Sequence, residues 1–532
     1  MSIIKQFPLE KARSTQVAVL NAIEKAFKDG YKNILLEAPV GSGKSAIAVA
    51  CAKHFGESHI ITPRKSLQDQ YMDDFGAESL VMMKGRGSYP CTYGVPQKEY
   101  NVVIQKIFKG GSVQPKAGED SCAIGPCIAS RDVLEECSGK GGRECPYHVA
   151  IQTAQDSAGI IHNLHSFIFQ AFFAKRFIKR PLLIIDECHE IESTIRSFSE
   201  RKIRLPCNVT DESLKETERF KTLEDWTLWF YKYTHLFTDK NGTVGKASDK
   251  AVFLNTVKTL ETLSDKFGEQ FVPNIVKEVQ YNRTSFTFTP ERVGDLVNLF
   301  LLNFGDKRLL MSGTIYNKSQ YCRNNGLIED ETCFIRTGST FPKDTRPIYL
   351  KKDYFVDTSH SEWDGNFSEM VEKIETLFDV FDDVKGLIHT PSYAASQQIY
   401  DALKHTGRMV MHTKDDLQEK LQSFYAETEP KVFLSPVCQQ GVDFKYDRAR
   451  FQLILRVPYA NTTDSFNAYK VKNDFQWYNY QALVIFGQQI GRINRAEDDF
   501  GVTILMDERF GKFISRNRNT LPKWLTDSII YK

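Results

Sequence analysis

Short apolar runs rich in leucine and β-branched residues punctuate the chain: Ile34-Leu35-Leu36, Leu182 to Ile185, Leu387-Ile388, Val432-Phe433-Leu434, Leu453-Ile454-Leu455 and Val502 to Leu505. Each has the length of a buried strand, and several run into a Gly, Ser or Pro turn followed by a helical pattern. Strand, turn and helix in alternation predict parallel α/β layers. The runs fall into two groups, roughly 30–190 and 380–510. Between the groups the period changes. Leu223, Trp226, Phe230, Tyr233 and Phe237, and then Phe253, Val257, Leu260, Ser264 and Phe267, recur at the spacing of one helix face. Residues 206–300 are therefore expected to form a helical insertion, with Asp239 to Gly245 as the loop between its two helices.

At 532 residues the chain is too long for a single core. Its 41% hydrophobic and 26% charged residues fit a soluble globular protein. A net charge of +2 neither announces nor excludes nucleic acid, because a basic groove can be offset elsewhere on the surface. The first residues lack the apolar core of a secretory signal, and no apolar run approaches the ~20 residues of a membrane span. A cytoplasmic location is expected. Thiols stay reduced there, and clustered cysteines favour metal over disulfide.

Candidate chemistry begins after the first strand. Ala38-Pro39-Val40-Gly41-Ser42-Gly43-Lys44-Ser45 reads as a glycine-rich turn opening a helix. Gly41 and Gly43 allow successive N–H groups to turn inward around an anion. Lys44 can reach the β- and γ-phosphates of a nucleotide, and the Ser45 hydroxyl suits Mg²⁺. The full phosphate-loop pattern wants Gly at position 38, where this chain has Ala. Asp186 and Glu187 follow the run 181–185, at the strand end where open α/β sheets bind ligands. There an Asp can hold Mg²⁺ and the adjacent Glu can orient or deprotonate the attacking water. Far downstream, Arg492 and Arg495 share one helix face in Gln488 to Arg495. From spacing alone that stretch is a solvated basic helix; set across a cleft from the phosphate loop, the same arginines would stabilise γ-phosphate charge.

The order of these motifs resembles the XPD/DinG family of superfamily 2 DNA helicases, over about residues 10–525. Arg13-Ser-Thr-Gln16 resembles the adenine-sensing segment ahead of motif I, Ala38 to Ser45 motif I, and Thr62 to Gln70 motif Ia. Asp186 to His189 resembles motif II as a DECH variant, and Ser312-Gly313-Thr314 motif III with Gly where Ala is usual. Thr390 to Tyr393 resembles motif IV, Gln440 to Asp443 motif V, and Gln488 to Arg495 motif VI. The resemblance implies two RecA-like parallel-sheet motor domains with ATP and Mg²⁺ between them, and an iron–sulfur cluster insertion and a helical, Arch-like insertion in the first. It implies a monomer that moves 5′→3′ on single-stranded DNA and opens duplexes and junctions. Lys44, Asp186, Glu187, Gln488, Arg492 and Arg495 take the catalytic roles. Arg13, Gln16, residues 38–45 and Asp443 hold the nucleotide, with Ser45 and Asp186 on Mg²⁺. Arg64, Lys65, Thr390 and Tyr393 meet DNA; Tyr393 is placed to stack a base. The run Phe172 to Arg180 reads as amphipathic packing. The corresponding partition is 1–84, 151–205 and 301–345 for the first motor, 85–150 for the cluster segment, 206–300 for the insertion and 346–532 for the second motor.

Five of the eleven cysteines lie between Cys91 and Cys145. The resemblance makes them ligands of a [4Fe–4S] cluster, which takes four thiolates. Cys91 and Cys145 carry the family's flanking residues. Cys127 and Cys137 complete the expected set, with Cys122, close to Cys127, as the alternative. A structural zinc ion uses the same ligand type, and spacing does not exclude it. Cys51, Cys188, Cys207, Cys322, Cys333 and Cys438 are expected to be packing residues.

Overall fold

The computed structural model describes residues 2–76, 80–111, 114–115, 120–124, 144–205, 209–220, 222–233, 247–267, 271–278, 283–359, 361–438, 442–496 and 498–531. Through the first motor and the insertion the strands are β1 (Asn33–Glu37), β2 (Ser58–Thr62), β3 (Leu80–Met83), β4 (Gly159–Asn163), β5 (Arg180–Ile185), β6 (Arg201–Leu205), β7 (Phe271–Glu278), β8 (Arg283–Pro290), β9 (Gly305–Ser312) and β10 (Thr332–Arg336). The rest are β11 (Ile348–Tyr349), β12 (Gly386–His389), β13 (Met409–Met411), β14 (Val432–Ser435), β15 (Phe451–Ile454), β16 (Val502–Leu505) and β17 (Ile529–Ile530).

Two parallel sheets result, in the orders β10-β1-β9-β5-β2-β4-β3 and β13-β14-β12-β15-β16-β11-β17. In the first, side chains alternate between two cores, as the two-residue period of a strand requires. Leu35, Ile61, Ile160, Leu183, Ile185 and Leu310 enter one; Ile34, Leu36, Ile60, Ile161, Leu182, Ile184 and Leu309 enter the other. Both faces are covered, which is why these strands read as unbroken apolar runs. Register then aligns the motifs. Glu37 lies opposite Ser312, Ile61 opposite Ile185 and Thr62 opposite Asn163. The residues that follow these strands are thereby delivered to one edge of the sheet.

The cysteine-bearing segment shares a core with that sheet. Tyr100, Ile104 and Ile107 of helix Gln97–Phe108, and Tyr147, Val149 and Ala150 of helix Pro146–Gln155, pack with Cys122 and Cys145 onto the face that holds Leu183 and Ile185. Phe172 packs edge-on against Phe300 at 4.8 Å and Phe177 is buried, but the helical segment ends at Phe173, and Phe173 and Ile178 are exposed, so the 172–180 run does not form the amphipathic helix its pattern suggests.

The insertion differs from the all-helical expectation. It carries helices Asp211–Thr217, Leu223–Tyr231 and Ala247–Phe267, and also the antiparallel sheet β6-β8-β7. Phe286 and Phe288 of β8 close its core against Trp226, Trp229, Phe230, Phe253, Val257 and Leu260. The apolar residues of β8 alternate with Thr and Ser, a strand period hidden beside long helical ones. Phe237 lies outside the described residues. Helix Gly294–Phe300, at the end of the expected insertion, buries Leu296, Val297 and Phe300 in the first motor's core instead. Among the described residues no helix is long and apolar enough to cross a membrane.

Candidate active site

The phosphate loop leaves β1 through Ala38, which is fully buried and extends the strand ladder by donating its N–H to the Ser312 carbonyl at 3.0 Å. Gly41 and Gly43 both take φ in the left-handed region, +78° and +76°. Each is also closed in sterically. A Cβ on Gly41 would fall 2.3 Å from the Phe341 ring, and one on Gly43 would fall 2.2 Å from Gln16 Nε2. Lys44 Nζ donates to the Ala38 carbonyl at 3.1 Å, spanning the loop from within. Arg13 and Gln16 brace it from outside. Arg13 Nη1 donates to the Gly41 carbonyl at 2.8 Å, and Gln16 Oε1 accepts the Arg13 N–H at 2.9 Å. Pro39, Val40, Gly313, Thr314, Phe341, Gln488 and Arg492 border an open pocket of about 60 Å³ between the motors.

Asp186 is buried beside Tyr71, whose hydroxyl donates to its Oδ2 at 2.9 Å. Burial and the neighbouring Glu187 charge push the Asp186 carboxyl up to about 6. Glu187 sits at φ +49°, outside the usual range for a side-chain-bearing residue. Burial opposes its ionisation, but hydrogen bonding from His189 and the charges of Lys44, His189 and Arg492 prevail and hold it below the ordinary carboxylate range. The pair is thus polarised: one carboxyl raised, its neighbour kept ionised. Tyr71 was not anticipated from sequence; it is one more apolar-face position on helix Lys65–Phe75, without a spacing signal of its own.

A line of side chains leads from this pair into the second motor. His189 Nδ1 lies 3.2 Å from Glu187 Oε2 and 2.8 Å from Ser312 Oγ. Ser312 Oγ accepts the Thr314 N–H at 3.1 Å, and Gln488 Nε2 donates to Thr314 Oγ1 at 2.8 Å. Arg492 closes the line, donating to Gln488 Oε1 at 3.1 Å and to the Val442 carbonyl at 3.0 Å. Burial, then Arg495, pushes the Arg492 guanidinium down to about 9. Arg495 pairs with Asp443 at 3.2 Å. The parts read separately along the sequence — acidic pair, motif III and arginine helix — therefore meet, and His189, Ser312 and Thr314 are the connectors.

The residues expected on a nucleic-acid strand are more scattered in character. Arg64 pairs with Glu190 at 2.8 Å, while Lys65 is exposed at the start of its helix. Thr390 is buried, its hydroxyl 2.6 Å from Ser396 Oγ. Tyr393 stays half-exposed, edge-on to His412 at 5.5 Å. Gln440 and Gly441 lie outside the described residues.

Among the thiols, Cys122 Sγ lies 3.5 Å from Cys145 Sγ, both buried. Cys91 is tied to the same place by main chain: its N–H donates to the Asp120 carbonyl at 2.7 Å, and the Cys122 N–H donates to the Tyr89 carbonyl at 2.8 Å. Cys145 precedes helix Pro146–Gln155. The hydrogen bond with Cys122, reinforced by the Tyr147 and His148 N–H groups, draws its thiol down to about 6, while Cys122 is driven well above the thiol range by the same bond and by burial. Two thiols this close are soft donors of the kind a thiophilic metal takes. Among the described residues no group of three or more His, Cys, Asp or Glu is arranged to hold a metal ion. Cys127, Cys137 and Cys207 lie outside the described residues. Cys51, Cys188, Cys322 and Cys438 are buried as packing residues, whereas Cys333 is only half-buried.

Two protein families match the chain: type III restriction enzyme, res subunit, over residues 10–220, and helicase C-terminal domain over residues 376–528. The general transcription and DNA repair factor IIH helicase subunit XPD/RAD3 of Saccharomyces cerevisiae is 31% identical over 100 residues, 17% of this chain and 12% of that protein. The chain thus spans about an eighth of the length of that relative. A probable ATP-dependent helicase of Methanocaldococcus jannaschii is 21% identical across 97% of this chain and 94% of its own. A solved XPD helicase structure superposes with a TM-score of 0.60 at 15% identity, covering 98% of this chain and all of that one.

Proposed function

We propose that the chain is an XPD/DinG-like superfamily 2 helicase, which the two family matches and the XPD-like fold support, and that it hydrolyses ATP to move 5′→3′ along single-stranded DNA and open duplexes ahead of it. The observation that carries the reading is the continuous line from Glu187 through His189, Ser312, Thr314 and Gln488 to Arg492, because it joins the water-activating position of one motor to the arginine helix of the other.

In this reading the inward N–H groups of residues 41–45 and Lys44 cradle the phosphates, and Ser45 and Asp186 hold Mg²⁺. Glu187, kept ionised, orients water against the γ-phosphate. Gln488 senses that phosphate. Arg492 and Arg495 exchange their present partners, the Val442 carbonyl and Asp443, for its developing negative charge as the cleft closes. Arg13 and Gln16 fix the loop on the side where the base would lie. Lys65 and Tyr393 are the exposed members of the DNA-contact set.

The thiols extend the proposal. We assign Cys91, Cys122 and Cys145 to a [4Fe–4S] cluster, with Cys127 or Cys137 as the fourth thiolate; the 3.5 Å approach of Cys122 to Cys145 supports exchanging Cys122 for one of the two middle ligands expected from sequence. Such a cluster supplies cross-linking of a loop that has little core of its own. Reduced, clustered thiols also suit the cytoplasm, where we place the protein.

Strand displacement on 5′- and 3′-tailed duplexes tests the function. Unwinding of the 5′-tailed substrate alone is expected, with Lys44→Ala lowering DNA-stimulated ATPase by on the order of 10²-fold or more. ATP hydrolysis without displacement of either strand would leave a translocase that does not unwind, and wild-type ATPase in Lys44→Ala would remove the site assignment.

A further inference from the structure

Tyr316, four residues past Ser312, holds a main-chain conformation that a bulky side chain rarely adopts, φ +59°. A left-handed tyrosine needs the surroundings to impose it. Two charged groups do so. The buried Glu37 carboxylate accepts the Tyr316 N–H, and Arg336 donates to the Tyr316 carbonyl at 2.6 Å while pairing with Glu37 at 2.6 Å. Glu37 ends β1, directly before the phosphate loop, and Arg336 ends the neighbouring β10. The direction of the tyrosine ring is therefore set by the strand that carries the phosphate loop.

The ring itself lies in the other motor. It is buried in the second motor's core with Ile348, Leu350, Leu483, Val484 and Phe486. Its hydroxyl presses on Gly487: a Cβ there would sit 1.6 Å from the oxygen. Gly487 immediately precedes Gln488 on helix Phe475–Ile490. Two further contacts from this helix grip the same loop, Tyr480 donating to the Ile315 carbonyl at 2.9 Å and Gln488 to Thr314 Oγ1 at 2.8 Å. Positions 480, 487 and 488 fall on one helix face. Among the described residues the Tyr316 hydroxyl has no hydrogen-bond partner, so shape rather than polarity defines the seat.

We propose that Tyr316 is the bearing on which the two motor domains turn, a positioning residue that fixes how far Gln488 and Arg492 stand from the phosphate loop. The proposal rests on the ATP-driven reading above. The bearing couples the start of the phosphate loop to the arginine helix without touching nucleotide. Altering it lowers the rate of the chemical step and leaves nucleotide affinity in place.

The test is a set of ATPase titrations, with and without single-stranded DNA, on Tyr316→Phe, Tyr316→Leu, Gly487→Ala and the double variant Gly487→Ala/Tyr316→Leu. Thermal melts accompany each. Tyr316→Phe keeps the ring and should stay within about twofold of wild type. Tyr316→Leu keeps the core apolar but loses reach; kcat should fall about tenfold with KM for ATP within about twofold. Gly487→Ala forces ring and helix apart and should fall further or fail to fold. The double variant removes the collision with the ring, leaving the 2.9 Å approach to Thr314 Cγ2, and should recover folding and most of the rate lost in Gly487→Ala. A wild-type kcat in Tyr316→Leu, or a double variant no better than Gly487→Ala, overturns the proposal. Absence of ATPase activity in the wild-type protein itself would instead overturn the ATP-driven reading.

Discussion

The nucleotide cleft and the thiol segment are both assembled from short motifs, but they are held by different means. In the cleft, the phosphate loop, the acidic pair and Thr314 follow strands buried on both faces, and parallel register fixes where those strands end. Among the described residues the thiols are held by the isolated bridge between Pro90 and Ser121, by the Cys122–Cys145 approach and by the start of helix Pro146–Gln155. Register delivers a residue to within an ångström or so of its neighbours; a loop does not. Motif order therefore translates into geometry in the first region, while in the second, among the described residues, only an isolated bridge stands beside Cys91 and Cys122.

Four substitutions bear on this contrast, the most damaging first. Cys145→Ser should abolish metal binding, because it removes one of the two close thiol donors, and unwinding should disappear while DNA-stimulated ATPase falls less than about tenfold. Elemental analysis and absorbance near ~400 nm check the metal. Cys122→Ser should match it if Cys122 is a ligand; full iron content in Cys122→Ser would restore the pair Cys127 and Cys137.

Ser312→Ala cuts the line between His189 and Thr314 at a buried point. Removing one partner from a buried hydrogen bond costs about 1–3 kcal/mol, so kcat for ATP should fall about tenfold with KM nearly unchanged. Equal losses in kcat and in nucleotide affinity would mean that Ser312 supports the phosphate loop rather than the line.

The smallest effect is expected at the departure from the phosphate-loop pattern. Ala38→Gly restores the usual residue, yet Ala38 serves as a buried strand position. Glycine there should cost roughly 0.5–1 kcal/mol of stability and leave ATPase within about twofold. Denaturant titration and steady-state kinetics separate the two.

The same contrast explains what could be read from the chain. Continuous runs such as Leu182 to Ile185 identify themselves because both faces are buried, and the acidic pair at their end inherits that placement. β8 does not identify itself: Phe286 and Phe288 face the insertion's core while Thr and Ser interleave them, so its period is lost beside the helical one of Val257 and Leu260. Tyr71 and Tyr316 carry no spacing signal either. The first acts through a phenol aimed at Asp186, the second through a left-handed main chain imposed by Glu37 and Arg336. Both are products of tertiary contact. Thr390 was expected to face a strand of DNA from its motif position alone, and its hydroxyl is bound internally to Ser396.

The core shared by Cys122, Cys145, Leu183 and Ile185 has a consequence beyond packing. Side chains that melt together form one cooperative unit, whatever separates them along the chain. A change that disorders Cys122 or Cys145 would therefore be felt by the strand that leads to Asp186, as faster amide exchange in β5.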